Sequence, residues 1–267
     1  MGADIKQLRT RIKSVDSTLH LTRAMGLVAS SKIRRATENM NRGREYVRAV
    51  TETVEQLTAC RECERSPYMT QREGERTRLI VIAGDRGLAG GYNANIFRAL
   101  RDYPDAEVIP IGKRACDRFE GEKRPAETFS YAAAKALADH LCQDFCDGAY
   151  DRLGIVYTKY ISIMSQEAQV MWLLPLTRTE NAPRHTILFE PDELSVLNAA
   201  VPAYVAGMTV ALVRESFASE VAARRVAMDS AGKNAGQMLD ELGLAYNRAR
   251  QGAITQEITE IVAGSGI

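Results

Sequence analysis

The sequence predicts an α/β fold in which a long antiparallel coiled coil of the N- and C-terminal helices joins a small, mostly parallel, three-layer α/β domain. Its eight prolines all lie between Pro67 and Pro202, and because proline breaks helices, both ends of the chain are free to form long ones. The segment between them alternates strand and helix patterns, which is typical of a parallel sheet covered on both faces. We expect an N-terminal coiled-coil helix over 1–60, a Rossmann-like α/β domain over 75–190 and a C-terminal coiled-coil helix over 203–262.

The first predicted helix carries a heptad repeat. Starting from Ile5, the 3-4 spacing of a and d positions runs without a slip over sixteen sites to Leu57, and eleven of them are large and apolar. A strict repeat of 3.5 residues predicts a left-handed supercoil with a partner helix. Several middle sites, including Gly26 and Ala29, are small, which allows the two backbones to come close.

The second predicted helix runs from Val205 to about Ile261. Nine alanines lie between positions 218 and 253. Alanine is the best helix former, but it buries little area, so a helix of this composition needs a long partner. The N-terminal helix is the natural candidate, paired antiparallel if the middle segment returns the chain to its starting point.

The run Leu194–Val213 is uncharged and nominally long enough to span a bilayer. It contains Pro202 and Gly207, and much of it is weakly apolar alanine. We therefore predict no membrane span in this chain.

Four strand patterns and three helical patterns occupy the middle segment. The strand patterns are short, apolar and rich in β-branched residues, at Arg78–Ala83, Glu107–Gly112, Leu153–Thr158 and Ala168–Leu174. The helical patterns lie at Asn93–Leu100, Lys113–Phe119 and Tyr131–Cys146.

A glycine-rich turn, Gly84–Gly91, follows the first strand pattern. Its spacing is not G-x-G-x-x-G, and no G-K-[ST] follows to hold phosphates and magnesium. Arg86 and the following helix N-terminus could still attract an anion. We interpret the segment as a structural strand-to-helix turn and expect no nucleotide there.

The five cysteines include a C-x-x-C (Cys60, Cys63) and a C-x-x-x-C (Cys142, Cys146). A zinc site or a redox dithiol stays open as an alternative to ordinary thiols. The chain contains no G-x-S-x-G or H-E-x-x-H motif and no clear nucleophile–base arrangement. We therefore expect no catalytic residue, metal or cofactor of its own. Met1–Ser14 lacks the apolar stretch of a signal peptide, which favours the cytosol.

The first helix is unevenly charged. No acid lies between Asp16 and Glu38, and residues 1–58 hold eleven Lys or Arg against six Asp or Glu. The basic side chains in that interval are Arg23, Lys32, Arg34 and Arg35. Such a patch could meet an acidic protein surface or nucleic acid, or could simply be a solvated face.

Several motifs, in order along essentially the whole chain, resemble the gamma subunit of F-type ATP synthases. Near the start these are Ile12–Thr18, Leu21–Met25 and Val28–Lys32; in the middle they are Asp85–Asn93, Met164–Gln166 and Phe189–Pro191. The most specific match is at the end, in Ala245–Gln251 followed by Ala253–Val262. The chain departs from the family at Gly252, where a small residue with a Cβ is usual, and at Ala89, where cysteine is commoner.

The resemblance implies a central-stalk rotor that is not an enzyme on its own. It implies that the paired helices pass through a ring of alternating alpha and beta subunits, while the α/β domain contacts the epsilon subunit and the c-ring. Rotation then couples ion flow to nucleotide affinity at the beta subunits. The place implied is peripheral, on the cytoplasmic face of the cell membrane. The coupling ion, proton or sodium, stays open because its ligands belong to the c-ring.

The resemblance also implies candidate contact residues. By motif, Arg250 and Gln251, with Thr255 and Glu257 nearby, make polar contacts with the catalytic ring. The torque-bearing part of the first helix contains Arg23, Met25, Lys32 and Arg34, and this basic stretch faces acidic loops of the beta subunits. The family's chloroplast regulatory dithiol lies in an insertion that this chain lacks, so redox control does not carry over to Cys60 and Cys63.

Two alternative functions remain at this point. One is a stand-alone α/β enzyme that binds a phosphate ligand at Gly84–Gly91. The other is a coiled-coil nucleic-acid-binding protein that uses the basic face of the first helix. Its affinity would fall steeply with salt, and the formal net charge of +1 argues against it.

Overall fold

The computed structural model describes residues 2–72, 74, 76–179 and 188–264. Within these residues the helices are α1 (Gly2–Thr58), α2 (Tyr92–Ala99), α3 (Lys113–Cys116), α4 (Tyr131–Cys146) and α5 (Glu193–Gly264). The strands are β1 (Thr77–Ile82), β2 (Glu107–Ile111), β3 (Arg152–Tyr160) and β4 (Gln166–Leu174). Short 3-10 turns occupy Arg61–Arg65, Pro67–Met69 and Leu100–Asp102.

The four strands form one sheet in the order β2-β1-β3-β4. Strand β1 pairs in parallel with both β2 and β3, while β4 pairs antiparallel with β3. The prediction of a mostly parallel sheet is confirmed. The antiparallel edge strand arises because only a short turn separates β3 from β4, and a parallel return needs a long crossover.

Helices cover both faces of the sheet, as predicted. Alternate residues of the central strands point to opposite sides. On one face, Ile80 and Ile155 belong to the same buried cluster as Leu141 of α4 and Val205 of α5. On the other face, the buried residues Leu79, Val81, Ala83, Ile96, Ala115 and Val156 form a second cluster.

The heptad predicted for α1 matches its burial. All sixteen a and d sites from Ile5 to Leu57 are buried or half-buried. Large side chains at the end of the helix, such as Val54 and Leu57, join the main core cluster. The α1 stripe therefore faces protein along its whole length.

Two predicted helix boundaries are wrong. Helix α5 begins at Glu193 rather than Val205 and contains Pro202. Its start is capped by Asp192, whose carboxylate accepts hydrogen bonds from the backbone N–H and the hydroxyl of Ser195, both at 2.8 Å. These bonds hold the pKa of Asp192 below its usual value.

The helical conformation persists across Pro202 because its first turns are anchored in the core. Leu197, Val201 and Val205 are fully buried, and burial of this kind offsets the backbone hydrogen bond that proline removes. The second error is α3, which ends at Cys116 rather than Phe119. Helix α4 has the predicted bounds.

The chain divides into two compact units, each described by itself below. The helical unit consists of Met1–Ser30 and Arg224–Ile267, and the sheet unit consists of Ser31–Ala223. The three buried apolar clusters of the described residues all lie in the sheet unit.

Candidate functional interface

The helical unit is a pair of antiparallel helix segments in close contact. A Cβ built on Gly26 would lie 3.7 Å from the Met228 Cβ, and one built on Gly232 would lie 3.6 Å from the Thr22 hydroxyl. Arg225 donates a hydrogen bond to the Ser30 hydroxyl. These contacts run in opposite directions along the two segments, which confirms the predicted antiparallel pairing.

The α5 segment of this unit has its own heptad stripe, which sequence reasoning missed. Its buried and half-buried residues include a row with unbroken 4-3 spacing: Met228, Gly232, Ala235, Leu239, Leu242, Tyr246, Ala249 and Ala253. The spacing is visible in the sequence, but alanine and glycine at several of these sites conceal it from a search for large apolar residues. Two thin stripes facing each other allow the helices to approach closely.

The outer faces of the helical unit expose large apolar side chains. On the α1 segment Leu21, Leu27 and Val28 are 59%, 71% and 57% exposed, and on the α5 segment Leu244 is 65% exposed. Scattered single apolar residues are normal on a surface, but a run of them along a helix pair marks an interaction surface.

The end of α5 is exposed on all sides. Every residue from Ile254 to Gly264 is exposed. Ile254, Ile258 and Ile261 are 47%, 57% and 65% exposed and form a separate apolar row with 4-3 spacing, out of register with the buried stripe that ends at Ala253. The polar groups here bond only locally; for example, the Thr255 hydroxyl donates to the Gln251 carbonyl at 2.9 Å. We call Ile254–Val262 the apolar tip.

The predicted contact residues fall into separate groups. Six lie in the helical unit: Arg23, Met25, Arg250, Gln251, Thr255 and Glu257. All of them are exposed except Met25, which is half-buried. Antiparallel pairing places Arg23 opposite position 231, so about 19 residues of helix, or roughly 30 Å, separate its level from that of Arg250. The structure therefore forms two polar patches in this unit rather than one.

The other two predicted contact residues lie in the sheet unit, and one is already engaged. The Lys32 Nζ donates to the Glu127 carboxylate at 2.6 Å, with the two side chains 39% and 37% exposed. Arg34 is 87% exposed, and its guanidinium lies 3.8 Å from the Glu38 carboxylate on the next turn. The basic stretch of the first helix is thus partly neutralised within the chain.

Two backbone N–H groups of the glycine-rich turn are bound by a carboxylate of the chain itself, and the carboxylate of the turn is bound in the same way. The N–H groups of Asp85 and Arg86 donate to the buried Glu220 carboxylate, each at 3.3 Å. The Asp85 carboxylate in turn accepts from the N–H groups of Lys113, Ala126 and Glu127 at 2.8–3.0 Å. A phosphate would have to displace these carboxylates, so the geometry supports the prediction of a structural turn.

The family is decided by comparison with known proteins. A family model described as ATP synthase matches residues 4–266. The ATP synthase gamma chain of Ruminococcus albus is 38% identical and covers 98% of each chain. The chain belongs to the ATP synthase gamma family. A second member, the sodium-ion-specific ATP synthase gamma chain of Acetobacterium woodii, is 36% identical and covers 99% of each chain.

Solved structures of ATP synthases share the fold. A chain in the OSCP/F1/c-ring structure of the Euglena gracilis mitochondrial enzyme aligns with a TM-score of 0.71 at 21% identity, covering 100% of this chain and 97% of that one. A chain in the rotor structure of the same enzyme aligns with a TM-score of 0.69 at 19% identity, covering 95% and 100%.

The cysteines of this gamma-family chain are free thiols. Burial raises the pKa of Cys63 to about 12 and that of Cys142 to about 12, which keeps both protonated at neutral pH. In the part of the chain that the structure describes, no three His, Cys, Asp or Glu side chains group as metal ligands.

Helix α5 contains a window that is long and apolar enough to cross a membrane by length and composition alone. About three fifths of that window, 61%, is buried inside the protein. A core helix passes the same test, and the buried residues Leu197, Val201 and Val205 place this one in the main core cluster.

Proposed function

We propose that this gamma-family chain is the central-stalk rotor subunit of an F-type ATP synthase. One observation carries the proposal: in the helical unit the buried stripes are thin, while large apolar side chains face outward and the apolar tip is exposed on all sides. A helix pair of this kind leaves apolar surface for a partner that surrounds it. A ring of alternating alpha and beta subunits is such a partner.

The mechanism is a shift of conformational populations. On α1 the exposed Leu21 and the exposed Arg23 are two residues apart and therefore point to nearly opposite sides of the helix. A turning shaft with such a surface presents different contacts to each beta subunit in succession. A contact that is more favourable with one conformation of a beta subunit shifts its population, and with it the affinity for nucleotide. The asymmetry of the shaft is therefore what couples rotation to ATP synthesis, or ATP hydrolysis to ion pumping.

Particular residues have proposed contacts in this mechanism. Arg250, Gln251, Thr255 and Glu257 make polar contacts with the catalytic ring around the tip, since their side chains are exposed and at most locally bonded. Arg23, Met25, Lys32 and Arg34 are the torque-bearing set, and the basic members meet acidic loops of the beta subunits. Among these, Lys32 would have to exchange Glu127 for an outside partner.

The remaining partners belong to the other end of the assembly. One aligned chain comes from an OSCP/F1/c-ring structure of the Euglena gracilis enzyme, and another comes from a central stalk/c-ring structure of the Tetrahymena thermophila enzyme. For this chain we assign the epsilon subunit and the c-ring to the α/β domain. We also propose that the chain divides into an N-terminal coiled-coil helix over 1–60, an α/β domain over 75–190 and a C-terminal coiled-coil helix over 203–262.

The chain itself is assigned no catalytic step. Support comes from the glycine-rich turn, whose N–H groups at Asp85 and Arg86 are already engaged by Glu220. Nucleotide chemistry then belongs to the ring subunits, and the chain is a peripheral subunit on the cytoplasmic face of the membrane. One relative is named as sodium-ion-specific; the coupling ion of this complex is a property of its c-ring.

Reconstitution tests the proposal. The purified chain is mixed with alpha and beta subunits from the same source, and assembly and Mg-ATP hydrolysis are followed by light scattering and phosphate release. The expected product contains three alpha, three beta and one copy of this chain, with ATPase activity that depends on it. Competent alpha and beta subunits that neither bind the chain nor change activity would contradict the rotor function.

A further inference from the structure

Within the sheet unit, helix α5 turns a buried polar face toward the sheet. Glu215, Ser216, Ser219 and Glu220 are 9%, 1%, 0% and 2% exposed. They occupy two successive turns of a helix that is otherwise held to the sheet by apolar contacts. Buried carboxylates are costly unless their oxygens are well bonded, so their partners explain why they are there.

Strand β3 supplies the first set of partners. Its pairing with β1 ends at Val156, but the strand continues to Tyr160, which leaves backbone groups on that edge without a neighbouring strand. The Thr158 N–H donates to the Ser216 hydroxyl at 3.1 Å, and the Ser219 hydroxyl donates to the Thr158 carbonyl at 3.1 Å. Side chains of α5 therefore take the place of the missing strand.

Glu215 joins three elements at one oxygen. Its Oε1 accepts the backbone N–H of Tyr160 on β3 at 3.1 Å and the guanidinium of Arg44 on α1 at 2.9 Å. The Glu215 side chain is only 12% exposed, so water screens this pair less than it would a surface pair. Both helices and the sheet are thus connected through a single carboxylate.

Glu220 connects α5 to the loops at the carboxyl end of the parallel strands. It accepts the N–H groups of Asp85 and Arg86, and the Asp85 carboxylate extends the connection to Lys113, Ala126 and Glu127. The fit is close, because a Cβ built on Gly84 would lie 2.8 Å from the Glu220 Cδ. The loops that follow β1 and β2 therefore meet at this point.

Apolar contacts and hydrogen bonds differ in how strongly they resist a movement of α5 against the sheet. Apolar burial is non-directional and changes little when a helix slides or twists by an ångström. Hydrogen bonds weaken steeply with distance and angle, so a set of them aimed from a helix at a fixed backbone resists such movement. A rotor needs that resistance wherever torque passes between its shaft and its body.

We propose that Glu215 and Glu220 are the positioning residues of a torsional clasp, through which α5 and α1 transmit torque to the α/β domain. The inference rests on the proposed rotor function. The clasp consists of Arg44, Glu215, Ser216, Ser219 and Glu220 with the backbone groups that they bind. Removing either carboxylate leaves the apolar contacts in place but lets the helix twist against the sheet under load.

Single-molecule torsion measurements test the clasp. The complex of three alpha, three beta and one gamma-family chain is fixed by its ring, and a bead is attached to the exposed position Ala132→Cys, with Cys60, Cys116 and Cys146 replaced by alanine. The variance of the bead angle at rest reports torsional compliance, and ATPase activity without load is measured in parallel. Glu215→Gln and Glu220→Gln are compared with Glu45→Gln, an exposed position on α1 within the sheet unit.

We expect both clasp variants to raise the angular variance above that of the control complex, because each loses hydrogen bonds whose strength depends steeply on distance and angle. Unloaded ATPase activity should stay at the level of the Glu45→Gln complex, because it needs no torque at the α/β domain. Equal variance in all three complexes would overturn the clasp while leaving the rotor function intact. Failure of the unsubstituted chain to assemble or to stimulate ATPase would instead overturn the rotor function.

A third variant tests the clasp even if the two carboxylate variants fail to assemble. Gly84→Ala retains both charges but places a methyl group where the Glu220 carboxylate lies. It should raise the angular variance in the same direction. Unchanged variance in Gly84→Ala, with Glu220→Gln unable to assemble, would assign Glu220 to folding alone and contradict the clasp.

Discussion

The helical unit and the sheet unit bury their apolar residues in opposite ways. The sheet unit encloses large side chains such as Ile80, Leu153 and Phe145, all fully buried. The helical unit buries small residues such as Gly26 and Ala235 and exposes large ones such as Leu27 and Ile261. The sheet unit is therefore stabilised by its own core, whereas the helical unit leaves much of its apolar surface exposed, where a partner can bind.

The largest expected difference is in thiol reactivity, which tests how closed the sheet unit is. With a pKa of about 12, only about one Cys142 side chain in 10⁴ is a thiolate at pH 8, and only the thiolate reacts. We expect iodoacetamide to label the half-buried Cys116 well before Cys63 and Cys142, as read by mass spectrometry of peptides.

The pH dependence of that labelling has a defined sign. Because burial raises the pKa of Cys63 and Cys142, their labelling rates should keep rising about tenfold per pH unit well above pH 9. In denaturant all five cysteines should label at similar rates. A labelling rate for Cys142 that levels off between pH 8 and 9 would mean that solvent reaches this thiol and that the core is not closed.

Replacing an apolar side chain by alanine should cost more unfolding free energy in the sheet unit than in the helical unit. Ile80→Ala removes a fully buried side chain and should cost about 2–5 kcal/mol of unfolding free energy. Leu242→Ala, at a half-buried site of the helical unit, should cost about 1 kcal/mol, because the side chain is already partly in water. Urea unfolding followed by circular dichroism measures both; equal costs would contradict the comparison.

The apolar tip should matter only with its partner. Ile258→Ser and Ile261→Ser should leave the stability of the isolated chain within about 0.5 kcal/mol, since these side chains are 57% and 65% exposed. Each should weaken binding to the ring of alpha and beta subunits by about tenfold if its burial there is lost. Gln256→Ala is the control on the same turns, and a fall in stability of the isolated serine variants would argue against an exposed tip.

The smallest effect, and one of opposite sign in the two units, concerns glycine. At Gly236 in the helical unit a Cβ would meet nothing within 4 Å, whereas at Gly154 in the sheet unit it would lie 2.9 Å from the Cδ2 of the fully buried Leu79. Gly236→Ala should therefore raise stability by about 1 kcal/mol through helix propensity. Gly154→Ala should lower it, because the buried Leu79 side chain must move. A gain at both sites in thermal unfolding would contradict the packing at Gly154.

Local patterns in the sequence predict much of this fold. The unbroken heptad of α1 and the bounds of α4 follow from periodicity and capping, such as Ser130, whose hydroxyl accepts the Ala133 N–H. The early start of α5 does not, because helix persistence across Pro202 depends on burial against residues distant in the chain. The α5 stripe of the helical unit could have been found from its 4-3 spacing.

Some features of the candidate site can likewise be predicted from local sequence patterns, and others cannot. Motifs select Arg250 and Gln251 as candidate contact residues, and periodicity predicts which face of α1 is buried. The engagement of Lys32 by Glu127, and of the glycine-rich turn by Glu220, joins residues 95 and about 135 positions apart. No local pattern encodes such pairs, since their partners are chosen by the tertiary fold.

Amide hydrogen exchange on the chain, alone and assembled with alpha and beta subunits, tests the comparison of the two units most directly. We expect strong protection of β1 and β3 in both states, because their core is complete within the chain. We expect weak protection of residues 2–18 and 240–264 in the isolated chain and a large gain of protection on assembly. Full protection of these segments in the isolated chain, or no gain in the complex, would contradict the claim that the helical unit is built to be enclosed.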